Sequence, residues 1–266
     1  MEGWRKGHLL HIKIRTVFQM REFAFKEKDQ EGLVTLETLS KADHFNSWMF
    51  ETILPEVEGE RILEIGSGIG NISRLFLEKG YEITLSDVRS HYCQHLQRTF
   101  HSFKNLGGVV NLDLVHPQFG KEYALHLQQY DTVFALNVIE HIEDDTLAIR
   151  NAHQLLKPGG KLVILVPAYP ALHNCFDEEL HHYKRYSKSR LRKKMLLTGL
   201  EIHNSFHFNF LGILGWWVFG SLLKNKLIPK GPMSWFNRLV PVIKLLDRLV
   251  FRNIGLSVVV SSHKQS

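Results

Sequence analysis

Cysteine is scarce in this chain: Cys93 and Cys175 are the only two in 266 residues. No disulfide framework can be built from them, and the usage fits a reducing compartment. Sixteen histidines are present, but no H-x-x-x-H or C-x-x-C pair gives a convincing metal site, so no metal is expected. A bilayer-spanning run is missing as well. Residues 208–223 carry no charge, but they fall short of the ~20 apolar residues that a span needs, and Gly212, Gly215 and Gly220 interrupt them. No repeat and no low-complexity tract appears. Near the start, His8, His11, Lys13 and Arg15 break every apolar run, which argues against a secretory leader. A cytoplasmic protein is the expectation, with peripheral membrane contact allowed by its C-terminal third.

What is present is a full core and one distinctive corner. An apolar share of 44% suits a globular chain, and the length suits one α/β domain with an elaboration. The run Ile62-Leu63-Glu64-Ile65-Gly66-Ser67-Gly68-Ile69-Gly70-Asn71 reads as a buried strand, a turn through alternate glycines and a helix start. Glycine lets a backbone bend tightly beside a ligand. A dinucleotide fingerprint would place its third glycine where Asn71 stands. The acid at Glu64 suits a positively charged ligand better than a pyrophosphate. A glycine-rich turn that binds nothing is the plain alternative.

Further along, Tyr81–Asp87 reads as a second strand ending in an acid. Asp87 comes 21 positions after Gly66, near the ~20 expected of a ribose-gripping acid. The third strand is expected over Val109–Leu114 and the fourth over Tyr130–Asn137, running into Val138-Ile139-Glu140-His141-Ile142. A helix begins near Asp144 or Asp145, and Lys157-Pro158-Gly159-Gly160 makes a hard turn into a fifth strand, Lys161–Pro167. A helix from His44 to near Pro55 precedes the glycine corner, and Trp48 on it reads as core or as a lid residue.

The E-x-G-x-G-x-G run at 64–70 resembles motif I of the class I S-adenosylmethionine (SAM)-dependent methyltransferases. The stretch 137–142 is similar to motif IV of their small-molecule branch, and L-K-P-G-G-x-L-V-I-L-V at 156–166 is a further hallmark. The resemblance covers about positions 45–207, with a last strand at 255–264. It implies a Rossmann-like class I methyltransferase fold: α/β, a seven-stranded mostly parallel sheet, with a helical insertion before the last strand. The expected organisation is an N-terminal extension (1–40), a SAM-binding core (41–207), a hydrophobic and basic insertion (208–254), and a final strand and tail (255–266). It also implies the cofactor and its contacts. Glu64, Gly66, Ser67, Gly68 and Gly70 hold the methionine end. Asp87 and Val88 hold the ribose, Asp113 and Leu114 the adenine, and Asn137 and Val138 line the methyl-transfer side.

Such enzymes often cover the SAM pocket with a helix like the one from His44. They also carry an H-Y-R-R-Y-S run after the fifth strand, matched here by His182-Tyr183-Lys184-Arg185-Tyr186-Ser187 with lysine at the third place. His181, His182, Tyr183, Arg185 and Tyr186 are therefore candidate substrate contacts, while Ser187 caps a helix over Lys188–Leu197. A hydroxyl nucleophile needs a base, and His141, His181 and His182 are the candidates. Related quinone O-methyltransferases hold a divalent ion in an E-x-x-E-H run. Asn137 replaces its first acid, so no metal is expected here.

Residues 224–252 hold seven cations (Lys224, Lys226, Lys230, Arg238, Lys244, Arg248 and Arg252) against one acid, Asp247. That local excess matches the net +6 of the entire chain. Trp235–Phe251 reads as an amphipathic helix kinked at Pro241, with Trp235, Phe236, Leu239, Val242, Ile243, Leu246, Leu249 and Val250 on one face and Asn237, Arg238, Lys244, Asp247 and Arg248 on the other. A lid over a greasy pocket, contact with an anionic membrane and a homodimer interface all fit it. No nucleic-acid partner is expected, because Asn137 is not followed by the Pro-Pro-aromatic run of amino-methylating DNA enzymes. The reading is methyl transfer to a small-molecule or lipid-linked substrate, at oxygen. The rivals are a SAM-binding protein without catalysis and an NAD-dependent oxidoreductase.

Overall fold

A computed structural model describes residues 30–227, 229–250 and 252–265. Seven strands form one sheet: β1 (Ile62–Ile65), β2 (Ile83–Asp87), β3 (Leu106–Asn111), β4 (Tyr130–Leu136), β5 (Leu156–Pro167), β6 (Leu200–Phe208) and β7 (Ser257–Lys264). Their order is β3-β2-β1-β4-β5-β7-β6, and β7 alone runs antiparallel to its neighbours. The order reverses between β2-β1 and β4, which opens a crevice beyond the carboxyl end of β1.

Residues along the central strands alternate between two cores, as the pleat requires. Leu63, Ile65, Val133, Ala135 and Ile164 face one, where helices α5 (Phe119–Glu122), α6 (Asp145–Leu155) and α8 (Lys188–Leu197) pack. Ile62, Phe134, Val163 and Leu165 face the other, covered by α2 (Asp43–Ile53), α3 (Ser73–Glu78), α4 (Ser90–Phe100) and α10 (Lys230–Leu249). Helix α1 (Gln30–Ser40) precedes α2. Two short helices, α7 (Cys175–Glu179) and α9 (Gly212–Trp216), follow β5 and β6.

Sequence and structure differ at identifiable places. Of the expected 1–40 extension, residues 30–40 form α1, and 1–29 lie outside the described residues. Strand β3 ends at Asn111, because its partner β2 stops where Asp87 pairs with Asn111. Asp113 and Leu114 therefore sit in the loop beyond. The Lys157–Gly160 turn is absorbed into β5 as a bulge: Leu156 still pairs with Tyr130, and the register shifts before Thr132 meets Lys161. Trp48 is core, its ring 4.4 Å from that of Phe208. Ser187 caps α8, accepting the Arg190 N–H at 3.2 Å.

Helix α10 starts a turn earlier than expected and contains Pro241, and Phe251 lies outside the described residues. Its packed face is not the expected one. Met233, Phe236, Val240 and Ile243 face the core together with Asp247, while Trp235, Leu239, Val242 and Leu249 face outward. Asp247 explains the turn. Its buried carboxylate accepts the backbone N–H groups of Asn209 at 3.3 Å and Phe210 at 2.6 Å, where β6 ends. Those donors need a partner once buried, and the acid brings its own face inward with it.

Candidate functional site

The crevice begins at the glycine corner after β1. Gly66, Gly68 and Gly70 have φ of 72°, 55° and 85°. A Cβ on Gly66 would come within 2.4 Å of Val138, and one on Gly70 within 2.3 Å of the Phe100 ring. The close approach is thus made by side chains from the β4 loop and α4. A Cβ on Gly68 would lie 3.0 Å from Leu36, so α1, rather than the helix from His44, covers the corner. Asn71 Nδ2 anchors α1 there by donating to the Leu36 carbonyl at 3.1 Å.

Three acids border this corner. Glu64, buried in β1, accepts a hydrogen bond from Ser73 Oγ. Burial lifts its carboxyl from an ordinary 4.5 to about 7, against the opposing hydrogen bonds of Ser73 and Ser67. Asp87 accepts the N–H of Gly68 and of Arg89, both at 3.0 Å, yet burial still pushes its carboxyl upward. Ser67 ties the corner to β2 by donating its N–H to the Ser86 carbonyl at 2.8 Å. Val88 follows Asp87 at the crevice edge, half-buried. Asp113 Oδ1 accepts the Val115 N–H at 2.9 Å, while its Oδ2 is buried without a partner among the described residues. Leu114 is buried beside it and its carbonyl accepts from Asn151.

An acid whose carboxyl is raised on folding keeps its proton at pH values where the unfolded chain has lost it. Glu64 therefore makes stability fall as pH rises from about 4.5 to about 7, by on the order of 3 kcal/mol, and the loss is complete above that range. Glu64→Gln should flatten this slope and stabilise the protein at pH 8. Urea unfolding at stepped pH measures it, and an unaltered slope would refute the assignment.

Beyond β4, Asn137 turns the chain with φ 56° and donates from Nδ2 to Glu140 Oε1 at 2.9 Å. Glu140 is fully buried and its Oε2 finds no partner among the described residues, so burial raises its carboxyl. The segment after β5 folds onto this loop. The Tyr183 N–H donates to the Glu140 carbonyl at 2.8 Å, and the His141 and His182 rings meet edge to face at 4.7 Å. Ligand atoms of Glu140, His141 and His182 lie within 4.8 Å of one another, a donor set able to hold a divalent ion that the sequence reading did not foresee.

Beneath this cluster lies Asp177, fully buried in α7. Its Oδ1 accepts from His182 Nδ1 and Arg185 Nε, both at 2.8 Å. Its Oδ2 accepts the Asn174 N–H at 3.0 Å and Trp216 Nε1 at 3.3 Å. Burial opposes the charge on Asp177, but His182 and Arg185 outweigh it and hold the carboxyl below its ordinary range. No motif points to Asp177. Only its place five residues before His182 hints at it, and it becomes visible once α7 turns back.

The three candidate histidines now differ. His141 is driven down to about 3, first by burial and then by the charge of His182. It stays neutral near pH 7 and is a poor base. His181 is exposed, with φ 56°. His182 alone has a carboxylate behind it: with its Nδ1–H given to Asp177, the lone pair is at Nε2.

Two expected substrate contacts are buried and bonded within the protein. Tyr186 is fully buried and donates to Asp145 Oδ2 at 2.7 Å. Arg185 is 2% exposed, bonded to Asp177 and to the Ala168 carbonyl at 2.7 Å, with its guanidinium 4.7 Å from the Trp216 ring. Both hold the loop to the core. Tyr183, half exposed, remains outward. A groove of about 420 Å³ between α2 and α10 lies apart from this chemistry and is lined by Trp48, Glu51, Lys244 and Arg248 among others.

Comparison with known proteins gives the same answer as the sheet. A family model described as "Methyltransferase domain" matches residues 20–205. A highly reducing polyketide synthase of Pyrenophora dematioidea is 33% identical over 114 residues, covering 40% of this chain and 4% of that protein. The chain thus spans a small fraction of the polyketide synthases it matches. Phosphoethanolamine N-methyltransferase 2 of Haemonchus contortus, solved with SAM, superposes with a TM-score of 0.52 at 19% identity over 78% of this chain and 49% of that one. The [4+2]-cyclase SpnF superposes with a TM-score of 0.54 at 13% identity over 82% and 80%. Those two likenesses concern the fold, which also hosts cyclisation. The matched span reaches from before α2 to β6, takes in every acid of the crevice, and places this protein in the class I SAM-dependent methyltransferase family.

Proposed function

We propose that the chain transfers a methyl group to an oxygen nucleophile of a small or lipid-linked substrate, with His182 as the base. The observation that carries this is the Asp177–His182 pair, set against Glu140 and His141 at the carboxyl end of β4. The crevice fits the cofactor. Asp113 Oδ2 is a buried acceptor with no partner among the described residues, suited to the adenine amino group, and Glu64 is a buried carboxyl that a cationic amino acid end would draw back to its charged form. Gly66, Gly68 and Asp87 complete the cradle, and Asn137 and Val138 border the transfer side.

When bound, SAM supplies a methyl group on a sulfonium, already activated for displacement. What remains for the chain is alignment of the nucleophile and removal of its proton. His182 takes that proton at Nε2. Asp177 holds Nδ1–H and fixes the ring and its tautomer. Neutral His141 and Asn137 offer polar edges that orient the acceptor. Leu36 and Val138 exclude water from the corner.

Transfer of labelled methyl from SAM to lipid extracts and small phenols tests this reading. Labelled product whose rate follows one basic ionisation supports it. SAM binding without turnover on any acceptor would favour a non-catalytic SAM-binding role. Asp87→Ala should raise the SAM dissociation constant at least about tenfold, the scale of one lost charge-assisted hydrogen bond of ~1.5–3 kcal/mol. Calorimetric titration reads that constant, and a value equal to wild type would remove Asp87 from the site.

A further inference from the structure

We infer that the outward face of α10, with the chain that follows α9, seats this protein on an anionic lipid surface. Helix α10 carries apolar residues on two sides, and among the described residues only one side is packed. Trp235, Leu239, Val242, Leu245 and Leu249 are 66%, 52%, 58%, 57% and 63% exposed. They recur at helical spacing and form one continuous stripe. Leu222 and Leu223, which follow α9, are exposed too, at 62% and 56%. Scattered exposed leucines need no explanation, whereas a contiguous stripe of this size marks a contact surface.

Charge selects the occupant. Arg238 and Arg248 flank the stripe on the same helix, and Lys224 and Lys226 follow Leu223. Arg238 lies 5.5 Å from the centre of the Trp235 ring, an amphipathic pair suited to the headgroup level. A protein partner would need acids matched to each cation. Anionic headgroups supply negative charge everywhere, with acyl chains beneath for the stripe. No described helix is long and apolar enough to cross a membrane, so the contact is at the surface.

The insertion also touches the site. Trp216 bonds Asp177, its ring centre is 4.9 Å from that of Phe176, and Asn174 Nδ2 donates to the Trp216 carbonyl at 3.2 Å and to Ser221 Oγ at 3.1 Å. A surface-bound insertion therefore holds the His182 segment beside the lipid phase. This deepens the lipid-linked reading of the substrate. The test needs neither cofactor nor acceptor, so the two readings fail separately.

The full chain is sedimented with vesicles of phosphatidylglycerol mixed with phosphatidylcholine, and with vesicles of phosphatidylcholine alone. Binding to the anionic vesicles at low salt and its loss at high salt are expected. Arg238→Ala and Arg248→Ala should each weaken partitioning about fivefold. Leu239→Ser with Val242→Ser should weaken it at least about tenfold. These positions are exposed, and circular dichroism verifies that the variants fold. Absence of anionic binding, equal binding to neutral vesicles, or variants that bind like wild type would each overturn the inference. So would a dimer in light scattering that dissociates with Leu239→Ser and binds no vesicles, since a second copy would then own the stripe.

Discussion

His182→Ala is expected to lower the turnover number by roughly 10²–10⁴-fold while leaving the SAM dissociation constant near wild type, the range that a positioned base contributes. The argument rests on asymmetry among three neighbours. His141 is held neutral down to about pH 3 by burial, so it cannot report the basic limb of a rate profile near neutrality. His181 faces solvent. His182 has its ring fixed by Asp177 at 2.8 Å and has a ring nitrogen within 4.8 Å of ligand atoms of Glu140 and His141. His141→Ala should therefore cost less than His182→Ala and keep the shape of the pH–rate profile. His182→Gln, which retains a polar side chain but no basic nitrogen, should behave like the alanine variant. A His182→Ala enzyme with full turnover and an unchanged profile would end the assignment.

Asp177→Ala is expected to destabilise the fold by about 3–5 kcal/mol, because it strands the buried Arg185 guanidinium without its counter-charge. Four donors converge on this carboxylate, from His182, Arg185, Asn174 and Trp216, so its loss frees the ends of α7 and of the insertion together. The wild-type contribution has a definite pH dependence. A carboxyl lowered on folding stabilises the protein above its unfolded value of 3.8, and that stabilisation disappears as pH falls through the lower folded value. Acid unfolding of wild type below about pH 4 should thus be steeper than that of Asp177→Ala. Urea titration of both proteins between pH 7 and pH 3 makes the comparison. Equal stabilities at pH 7 would show that Arg185 is satisfied elsewhere.

Much of the crevice was legible because its parts are local. Glu64, the alternating glycines, Asp87 and Asn137 each lie at a strand end, and a strand end can be read from a short apolar run followed by turn residues. The β3 boundary was misplaced by three residues, since it depends on where β2 stops. The Lys157–Gly160 turn became a bulge for the same kind of reason: its pairing is decided by Tyr130, far away in sequence.

Helix α10 shows where pattern reading stops. Its residues gave one apolar face and one charged face, and the charged face holds the buried Asp247. Periodicity identifies a helix and its stripes, but it cannot say which stripe turns inward when a carboxylate must satisfy two backbone donors at the end of β6. Arg185 and Tyr186 carry the same lesson. Their polar ends suggested a ligand, and they are spent on Asp177 and Asp145.

The amino-acid order alone determined the sheet class, the glycine corner after β1 and the charge of the insertion, because each can be read from short runs of neighbouring residues. Tertiary structure decided which histidine has a carboxylate behind it, which acids are pushed toward their protonated form, and which apolar stripe is left facing water. Those outcomes depend on burial and on partners brought together from distant parts of the chain, and desolvation has no value until the chain has closed around the group.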